Sequence, residues 1–325
     1  MSERMKLPCP SQDFYDKKYD FSHILDFCMQ LKTLELIPEH EVVKKQSKNT
    51  PIESPGLLMT SHEWQMRLNT PIGNSSIIPS ALSYDLNIFT SCRSLKLLGI
   101  AVDKIVDIDM IRKTCEHLNV YHCSLKQLNE VLLCDDIHKS PTNLTKQWTN
   151  VKTASFRDNF ILNIDEAVTL MPNISELSLE NNKIKDIQHL SALPKLTVLN
   201  LSANLIETFS NWHLELGNLL ILNLARNKIV TLSGLSKLYS LKNLDLSFNN
   251  IADLEEIDNL TSLPCLEQLC LNGNLIAQSI DYRARILSRF NERLSEVSID
   301  NERGTQSEID KALVLSALRM SRMKL

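Results

Sequence analysis

Apolar residues recur through the second half of the chain in one five-point pattern, LxxLxLxxNxI, in which leucines alternate with polar residues before an asparagine. The clearest copy consists of Leu196, Leu199, Leu201, Asn204 and Ile206. Four more copies and a softer one, with Ala154 and Phe156 at leucine positions, place further asparagines at Asn159, Asn182, Asn227, Asn249 and Asn274. Successive asparagines are 22 to 25 residues apart, so one structural unit is repeated along this region.

The alternation in LxL predicts a short strand whose two leucines face inward, because successive side chains of a strand point to opposite faces. Between strands, apolar residues fall at every third position, as at Ile184, Ile187 and Leu190, which predicts a return segment of 3₁₀-like geometry. One unit cannot bury its own apolar face, so neighbouring units must complete the core. We therefore predict an α/β repeat solenoid: a leucine-rich-repeat horseshoe with a parallel concave sheet, 22–23-residue repeats and a C-terminal helical cap.

The asparagine of each repeat falls where the chain turns away from the strand. Its amide can satisfy backbone groups that an apolar interior would leave without partners. We therefore predict a structural role for the whole set, which we name the asparagine ladder: Asn159, Asn182, Asn204, Asn227, Asn249 and Asn274.

The strength of the pattern divides the chain into segments. We predict a disordered N-terminus (1–19), an N-terminal strand or cap (20–37), a linker or mobile insertion (38–80), degenerate leucine-rich repeats (81–133), a loop insertion (134–148), regular leucine-rich repeats (149–277), a C-terminal cap (278–303) and a C-terminal helix (304–325). In the degenerate repeats we align Leu95 and Leu118 with the first leucine of the pattern, which puts Asp103 and Lys126 at the asparagine position. The C-terminal helix has a predicted apolar face through Ile309, Leu313, Ala317 and Met320.

Composition excludes several classes of protein. The net charge of −4 and pI near 6.1 give no general basic field of the kind that nucleic-acid-binding proteins use. We find neither a signal peptide nor an apolar run long enough to span a membrane. The eight cysteines form no CxxC pair, which favours reduced thiols over disulfides or a zinc site. A cytoplasmic protein is expected.

Motifs that carry catalysis are missing from the sequence. It contains no HExxH, P-loop or GxSxG motif. Its seven glycines make a phosphate-binding loop hard to build. We expect no enzyme, no catalytic residue, no metal ligand and no cofactor.

The residues that flank the inward leucines are expected to line the concave face, where a partner protein would dock. The predicted protein-binding residues are Arg157, Glu176, Ser178, Glu180, Val198, Asn200, Ile221, Asn223, Asn243, Asp245, Phe248 and Gln268. This surface is polar and nearly neutral, with an acidic spot at Glu176 and Glu180 and apolar anchors at Val198, Ile221 and Phe248. The alternative is that short polar residues are the ordinary occupants of any solvated sheet face.

Three arginines, Arg285, Arg289 and Arg293, recur every four residues in the cap and would form one basic stripe on a helix. They either contact an acidic lipid or protein partner, or form a solvated face relieved by Glu292 and Glu296. We favour the second interpretation.

Several stretches go beyond what the repeat pattern requires: DFSHILDFCMQLKTLEL (20–36), SYDLNIFTSCRSLKLLGI (83–100), GLSKLYSLKNLDL (234–246), SLPCLEQLCLNGN (262–274) and DYRARILSRFNERLSEVSID (281–300). Through these stretches the sequence resembles the nischarin family. The resemblance implies a non-enzymatic scaffold of cytoplasmic signalling, cytosolic and endosome-associated. Its implied partners are Rac-type GTPases, the kinases that act downstream of them, and integrin α-chain tails.

Longer members of that family begin with a PX domain that binds phosphatidylinositol 3-phosphate. Because the strand-like segment Leu31–Leu36 lies so near the start, we expect no PX domain and hence no lipid binding. We also expect a monomer. Two other functions stay open: a regulatory subunit of a protein phosphatase or other enzyme, since similar repeats wrap phosphatases, and a structural protein of cilia or the cytoskeleton.

Overall fold

The computed structural model describes residues 22–37, 59–60, 63–68, 83–134 and 146–323. The predicted disordered N-terminus, much of the predicted linker and most of the predicted loop insertion lie outside these residues. The strands are β1 Thr33–Leu36, β2 Met59–Thr60, β3 Glu63–Leu68, β4 Tyr84–Asp85, β5 Ser94–Leu98, β6 Ile105–Val106, β7 His117–Tyr121, β8 Thr153–Ser155, β9 Glu176–Ser178, β10 Val198–Asn200, β11 Ile221–Asn223, β12 Asn243–Asp245, β13 Gln268–Cys270 and β14 Ser298–Ile299. The α-helices are α1 Ser22–Gln30, α2 Asp109–Thr114, α3 Asn129–Leu132, α4 Trp212–Glu215, α5 Asp258–Thr261, α6 Tyr282–Leu287 and α7 Gln306–Met323.

Twelve of these strands form one sheet in the order β2-β3-β1-β5-β7-β8-β9-β10-β11-β12-β13-β14. All neighbours in it are parallel except β2 and β3. The register places the inward residues of successive repeats directly opposite one another: Leu177, Leu199, Leu222, Leu244 and Leu269. All five are buried, so the leucine-rich-repeat fold is confirmed.

Return segments close the other side of the core. In the regular repeats they contain the short 3₁₀ helices Glu166–Leu170, Leu190–Ala192, Ser233–Leu235, Leu254–Ile257 and Leu275–Gln278, with the short α-helix α4 in place of one of them. The three-residue apolar period therefore predicted their geometry correctly. Buried residues from every repeat form one continuous core, which includes the fully buried Trp148 and Trp212.

The alignment of the degenerate repeats is wrong by three residues. Leu95 pairs with Leu118, and Leu118 pairs with Ala154, which stands at the second apolar position of its repeat rather than the first. The first apolar position is filled instead by Cys92 and Cys115, both fully buried. The spacing of three between Leu95 and Leu98 misled the alignment, because it is the alternate residues Leu95 and Leu97 that are buried in the strand.

The asparagine position in the degenerate repeats is therefore held by other residues than predicted. Counting three residues beyond the last inward strand residue leads to Cys123 in one coil and Ile100 in the other, both buried. Asp103 and Lys126, the predicted substitutes, lie three residues further on. Neither coil therefore contributes an amide side chain of its own at this position.

The predicted linker contributes to the sheet. β2 and β3 form an antiparallel pair, and β3 lies parallel to β1 with Leu34 opposite Met66. Residues 63–68 thus extend the sheet beyond β1, unlike the linker or insertion that the proline-rich composition suggested.

The C-terminal cap consists of α6, a 3₁₀ turn at Asn291–Arg293 and β14, with α7 packed against α6. The buried residues of α7 are Ala312 and Ser316, whereas Leu313 and Met320, predicted on its apolar face, are exposed. Small side chains allow the close approach of α7, and Ser316 Oγ donates a hydrogen bond to Asn291 Oδ1 at 3.0 Å.

Two of the three cap arginines have structural partners. Arg289 Nη1 contacts Asp258 Oδ2 at 2.8 Å. Arg293 donates to the carbonyl oxygens of Leu263 and Leu266, each at 2.6 Å. These arginines join the cap to the last regular repeat, which accounts for them without an acidic ligand.

Candidate protein-interaction surface

Two rows of side chains cross the open face of the sheet, one on each side of the inward leucines. The first row contains Glu176, Val198, Ile221, Asn243 and Gln268. The second contains Ser178, Asn200, Asn223, Asp245 and Cys270. The structure therefore brings together nine of the twelve residues predicted to bind protein; Arg157, Glu180 and Phe248 lie beyond the ends of the strands.

The second row also has a structural task that the sequence did not reveal. The Oδ1 atoms of Asn200 and Asn223 each accept a hydrogen bond at 3.0 Å from the backbone N–H two residues later, on Ser202 and Ala225. Asp245 Oδ1 accepts in the same way from the Ser247 N–H at 2.9 Å. The recurring combination of Asn or Asp with a small residue two positions later is the signal that could have indicated this role. The first row has no such backbone bonds and is freer to contact a partner.

A shallow depression lies at the acidic end of the first row. Its volume is about 240 Å³, and its lining includes Thr153, Glu176, Val198 and Asn200. The Glu176 side chain has no hydrogen bond or ion pair to another described residue. This end of the face therefore presents an uncompensated carboxylate next to the apolar surface of Val198.

The three predicted apolar anchors do not form one cluster. Val198 and Ile221 are neighbours in register, and Ile221 is 39% exposed. Phe248 lies at the turn after β12, away from the strand rows. An ideal Cβ built on Gly273 would lie 2.5 Å from the Phe248 ring, so the ring rests directly on that glycine. Only the Val198–Ile221 pair can act as an apolar centre for a partner on the sheet face.

Each ladder asparagine bridges consecutive repeats. Asn227 Oδ1 accepts from the Ile206 N–H, and its Nδ2 donates to the carbonyl oxygens of Leu201 and Leu224, all at 3.0 Å. Asn159, Asn182, Asn204, Asn249 and Asn274 make equivalent bonds. All six side chains are buried, so the ladder holds the turns in place and is not available to a ligand.

Sequence reasoning missed a row of left-handed residues beside the ladder. The residue before each ladder asparagine has a positive φ, between 52° and 76°: Asp158, Asn181, Ala203, Arg226, Phe248 and Gly273. Residues other than glycine rarely adopt this conformation. The pairs Asp158–Asn159, Asn181–Asn182 and Gly273–Asn274 contain residue types that tolerate it, and these pairs were the available signal.

The surroundings of three thiols, the buried Cys92 and Cys115 and the half-buried Cys270, keep them unreactive. Burial raises the pKa of Cys92 and of Cys115 to about 12, and burial, with the nearby Asp245 and Asp300 carboxylates, raises that of Cys270 to about 11. These groups stay protonated near neutral pH and are poor nucleophiles. Within the described ranges, no group of three His, Cys, Asp or Glu residues is placed to hold a metal ion, and no helix has the length and apolar character needed to cross a membrane.

Comparison with known proteins agrees with the fold. Residues 172–212 match the family model described as Leucine Rich repeats (2 copies). The serine/threonine-protein kinase 11-interacting protein of Gallus gallus is 24% identical over 266 residues, which cover 80% of this chain and 24% of that protein. The Homo sapiens protein of the same name is 28% identical over 198 residues, 60% of this chain and 18% of that protein.

Two further similarities come from a yeast protein and a solved structure. An uncharacterised leucine-rich-repeat-containing protein of Schizosaccharomyces pombe is 33% identical over 149 residues, 44% of this chain and 22% of that protein. The crystal structure of an internalin from Listeria monocytogenes has a TM-score of 0.42 and 21% identity, covering 74% of this chain and 80% of that chain. This chain spans about a quarter or less of the length of these curated relatives.

Proposed function

Taking the leucine-rich-repeat fold as the premise, we propose that this chain is a non-enzymatic adaptor of cytoplasmic signalling that binds a partner protein on its concave face. The observation that carries the proposal is the alignment of Glu176, Val198 and Ile221 on neighbouring strands of an otherwise polar face. The centre of a protein interface is usually apolar and depleted of charged residues, and polar or charged side chains lie at its rim. Repeat solenoids present this kind of extended surface for binding.

The dimensions of the face show how much of the solenoid a partner must contact. The regular repeats with the C-terminal strand contribute seven neighbouring strands, β8 to β14. At about 4.8 Å per strand they span roughly 29 Å. Three-residue strands make this face about 10 Å wide, so it presents roughly 300 Å². A stable complex needs about 800 Å² from each partner, so the partner must also contact the flanking turns or the N-terminal strands.

A signalling kinase is the first partner class to test. Two relatives are named as interacting with serine/threonine-protein kinase 11. The nischarin resemblance adds Rac-type GTPases, the kinases downstream of them and integrin α-chain tails, with an endosome-associated location. The names of these relatives and the nischarin resemblance both favour an adaptor that binds a signalling protein.

The second candidate is a regulatory subunit of a protein phosphatase or other enzyme. It uses the same concave face and differs in what it holds. Such a subunit forms a stoichiometric complex with a catalytic subunit and changes its substrate range. The family-specific stretches in the cap and last repeats favour the adaptor.

The test is a pull-down from cell lysate with the chain of residues 1–325, followed by mass spectrometry. The variant Glu176→Arg/Ile221→Arg changes two exposed first-row residues, and Glu292→Arg, on the exposed surface of the cap, is the matched control. We expect the wild type and the control to retain a signalling kinase, GTPase or integrin tail that the concave variant loses. A phosphatase catalytic subunit as the main bound protein would favour the second candidate, and equal capture by all three chains would overturn the concave site.

A further inference from the structure

The edge of the solenoid beside the asparagine ladder has a composition unlike the concave face. We call it the turn edge and define it by Phe160, Lys183, Lys185, Arg226, Lys228 and Phe248. All six side chains are exposed, and the two phenylalanines are each 48% exposed. Backbone hydrogen bonds between successive turns, such as Lys183 N–H to the Ile161 oxygen and Arg226 N–H to the Ser247 oxygen, hold this edge in a fixed register.

Two cation–aromatic pairs stand on the turn edge. Lys183 Nζ lies 4.8 Å from the centroid of the Phe160 ring. Arg226 Cζ lies 4.6 Å from the centroid of the Phe248 ring, whose position is fixed by its contact with Gly273. Each pair presents an apolar ring and a positive charge side by side.

The charges of this edge are largely uncompensated. Among the described residues, Lys183, Lys185 and Arg226 have no carboxylate partner, and Lys228 has only Glu207 at 3.8 Å, with both side chains exposed. The chain as a whole has a net charge of −4. A local basic edge on an acidic protein attracts an acidic partner to that edge and not to the neighbouring face.

We infer that the turn edge binds an acidic protein segment with bulky apolar side chains, in addition to the partner proposed for the concave face. Phe160 and Phe248 lie four repeats apart, a separation of about 19 Å at about 4.8 Å per repeat. An extended peptide advances about 3.3 Å per residue, so its two apolar side chains would stand about six residues apart. Carboxylates beside each apolar residue would pair with Lys183 and Arg226.

A protein segment fits this edge better than an anionic membrane. The cations occur in two separated pairs, Lys183 with Lys185 and Arg226 with Lys228. An acidic residue accompanies each pair: Asp158 is two residues before Phe160 in the chain, and Glu207 lies 3.8 Å from Lys228. Binding to anionic lipid depends on a cluster of about four to eight Lys or Arg residues, whereas each pair here has two cations. An extended peptide can place a carboxylate at each pair and pass over the acids between them.

The experiment measures fluorescence anisotropy of labelled peptides with the chain of residues 1–325. The probe is EFESGSEFE, in which the two phenylalanines are six residues apart. ESESGSESE tests the apolar contribution, and KFKSGSKFK tests the sign of the charge. We expect EFESGSEFE to bind at least about tenfold more tightly than either control peptide, and its affinity to fall as salt is raised.

The variant Lys183→Glu/Arg226→Glu is expected to lose at least about tenfold in affinity for EFESGSEFE. The matched control Lys113→Glu/Lys237→Glu reverses two exposed cations on the return side of the solenoid and is expected to bind as the wild type does. Lys183→Gln/Arg226→Gln provides a milder second variant, also expected to lose affinity. Equal affinity of all chains for the probe would overturn the proposal.

Vesicles of phosphatidylserine and phosphatidylcholine serve as the second ligand. Strong sedimentation with these vesicles that is lost in Lys183→Glu/Arg226→Glu, together with weak peptide binding, would overturn the proposal in favour of a lipid-binding edge. The variant Glu176→Arg/Ile221→Arg distinguishes this proposal from the one for the concave face. It leaves the turn edge unchanged and should bind the peptide with the affinity of the wild type.

Discussion

The regular repeats and the degenerate N-terminal coils share one sheet but turn their chains by different means. In the regular repeats, strands of three residues end at turns held by a buried asparagine. In the N-terminal coils, strands β5 and β7 are five residues long, and the equivalent turn positions are Ile100 and Cys123. The Cys123 thiol lies 3.7 Å from the Leu97 oxygen, a weak contact in place of the amide bonds.

The boundary between these two regions shows that the ladder acts across repeats. Asn159 belongs to the first regular repeat, yet its Oδ1 accepts from the Cys123 N–H at 3.0 Å and its Nδ2 donates to the Val120 oxygen at 2.9 Å. The last degenerate coil is thus supported by an asparagine that is not its own. The coil of Ile100 has no ladder amide on its turn, because the next coil carries Cys123 at the asparagine position. Stability per repeat should therefore fall from the regular region toward the N-terminus.

The largest expected effect comes from removing a central ladder amide. Asn227→Leu leaves the buried Ile206 N–H without its partner. It also removes one of the two amide donors to the Leu201 and Leu224 oxygens, which keep their bonds from Asn204 and Asn249. We expect a loss of about 3 kcal/mol in the free energy of unfolding, since each unsatisfied buried group costs about 1–3 kcal/mol. Urea denaturation followed by circular dichroism measures it, and Asn204→Leu should behave alike.

The control for that substitution is Asn250→Leu. Asn250 is exposed and lies near the ladder without belonging to it. We expect its effect to stay within about 0.5 kcal/mol. If Asn227→Leu and Asn250→Leu unfold at the same urea concentration, the ladder does not stabilise the regular repeats.

The second prediction concerns alkaline pH and the N-terminal coils. Burial raises the pKa of Cys92 and Cys115 from 9.0 to about 12, so between these values the unfolded chain releases protons that the folded chain keeps. The stabilisation is fully present below pH 9 and is lost as pH rises toward 12. Each thiol should lower the free energy of unfolding by up to about 1.4 kcal/mol per pH unit in that window.

Urea unfolding at several pH values tests this, with Cys92→Ala/Cys115→Ala as the variant and Cys265→Ala, at an exposed thiol, as the control. The double variant should lose stability less steeply above pH 9 than the wild type. Other groups, including Tyr282, whose pKa is also raised mainly by burial, should leave a smaller loss of stability with pH in the double variant. Identical slopes in the variant and the wild type would show that these thiols do not titrate on unfolding.

The third prediction compares the two side chains found at the turn position. Cys123→Ala removes a small buried side chain and a weak thiol contact, at a cost of about 1 kcal/mol. Asn159→Ala leaves the Cys123 N–H and the Val120 oxygen unsatisfied and should cost about 2–3 kcal/mol. Thermal unfolding of both variants gives the comparison. A larger loss from Cys123→Ala would mean that the degenerate coil does not depend on Asn159.

The smallest expected effect is on the concave face. Glu176→Arg replaces an exposed side chain that has no bond to another described residue, so its melting temperature should match that of the wild type. Asp245→Ala removes the two hydrogen bonds that Ser247 donates to Asp245 Oδ1. We expect the free energy of unfolding to fall by about 1 kcal/mol and the melting temperature to fall slightly. Differential scanning calorimetry distinguishes the two rows; equal melting temperatures would remove the structural role of the second row.

Much of the site was visible in the sequence because strand alternation fixes which residues face outward. Glu176, Val198 and Ile221 could be placed on one row from the repeat alone. Phe248 could not be placed as well, because its left-handed backbone and its contact with Gly273 turn it from the sheet face to the turn edge. The structural role of Asp245, in addition to its predicted role in protein binding, could not be predicted either. Its hydrogen bonds with Ser247 depend on the geometry of the turn.

Several features could be predicted from the order of residues because each follows from local spacing repeated many times. They are the repeat, its period, the inward leucines, the asparagine ladder and the 3₁₀ return segments. The tertiary structure alone decided the register of the degenerate coils, the addition of β3 to the sheet, the small-residue face of α7 and the pairing of Arg226 with Phe248. These features depend on contacts between residues distant in sequence. The sequence of one weak repeat does not fix its register, because more than one register buries apolar residues. Pairing with the neighbouring strands fixes the register.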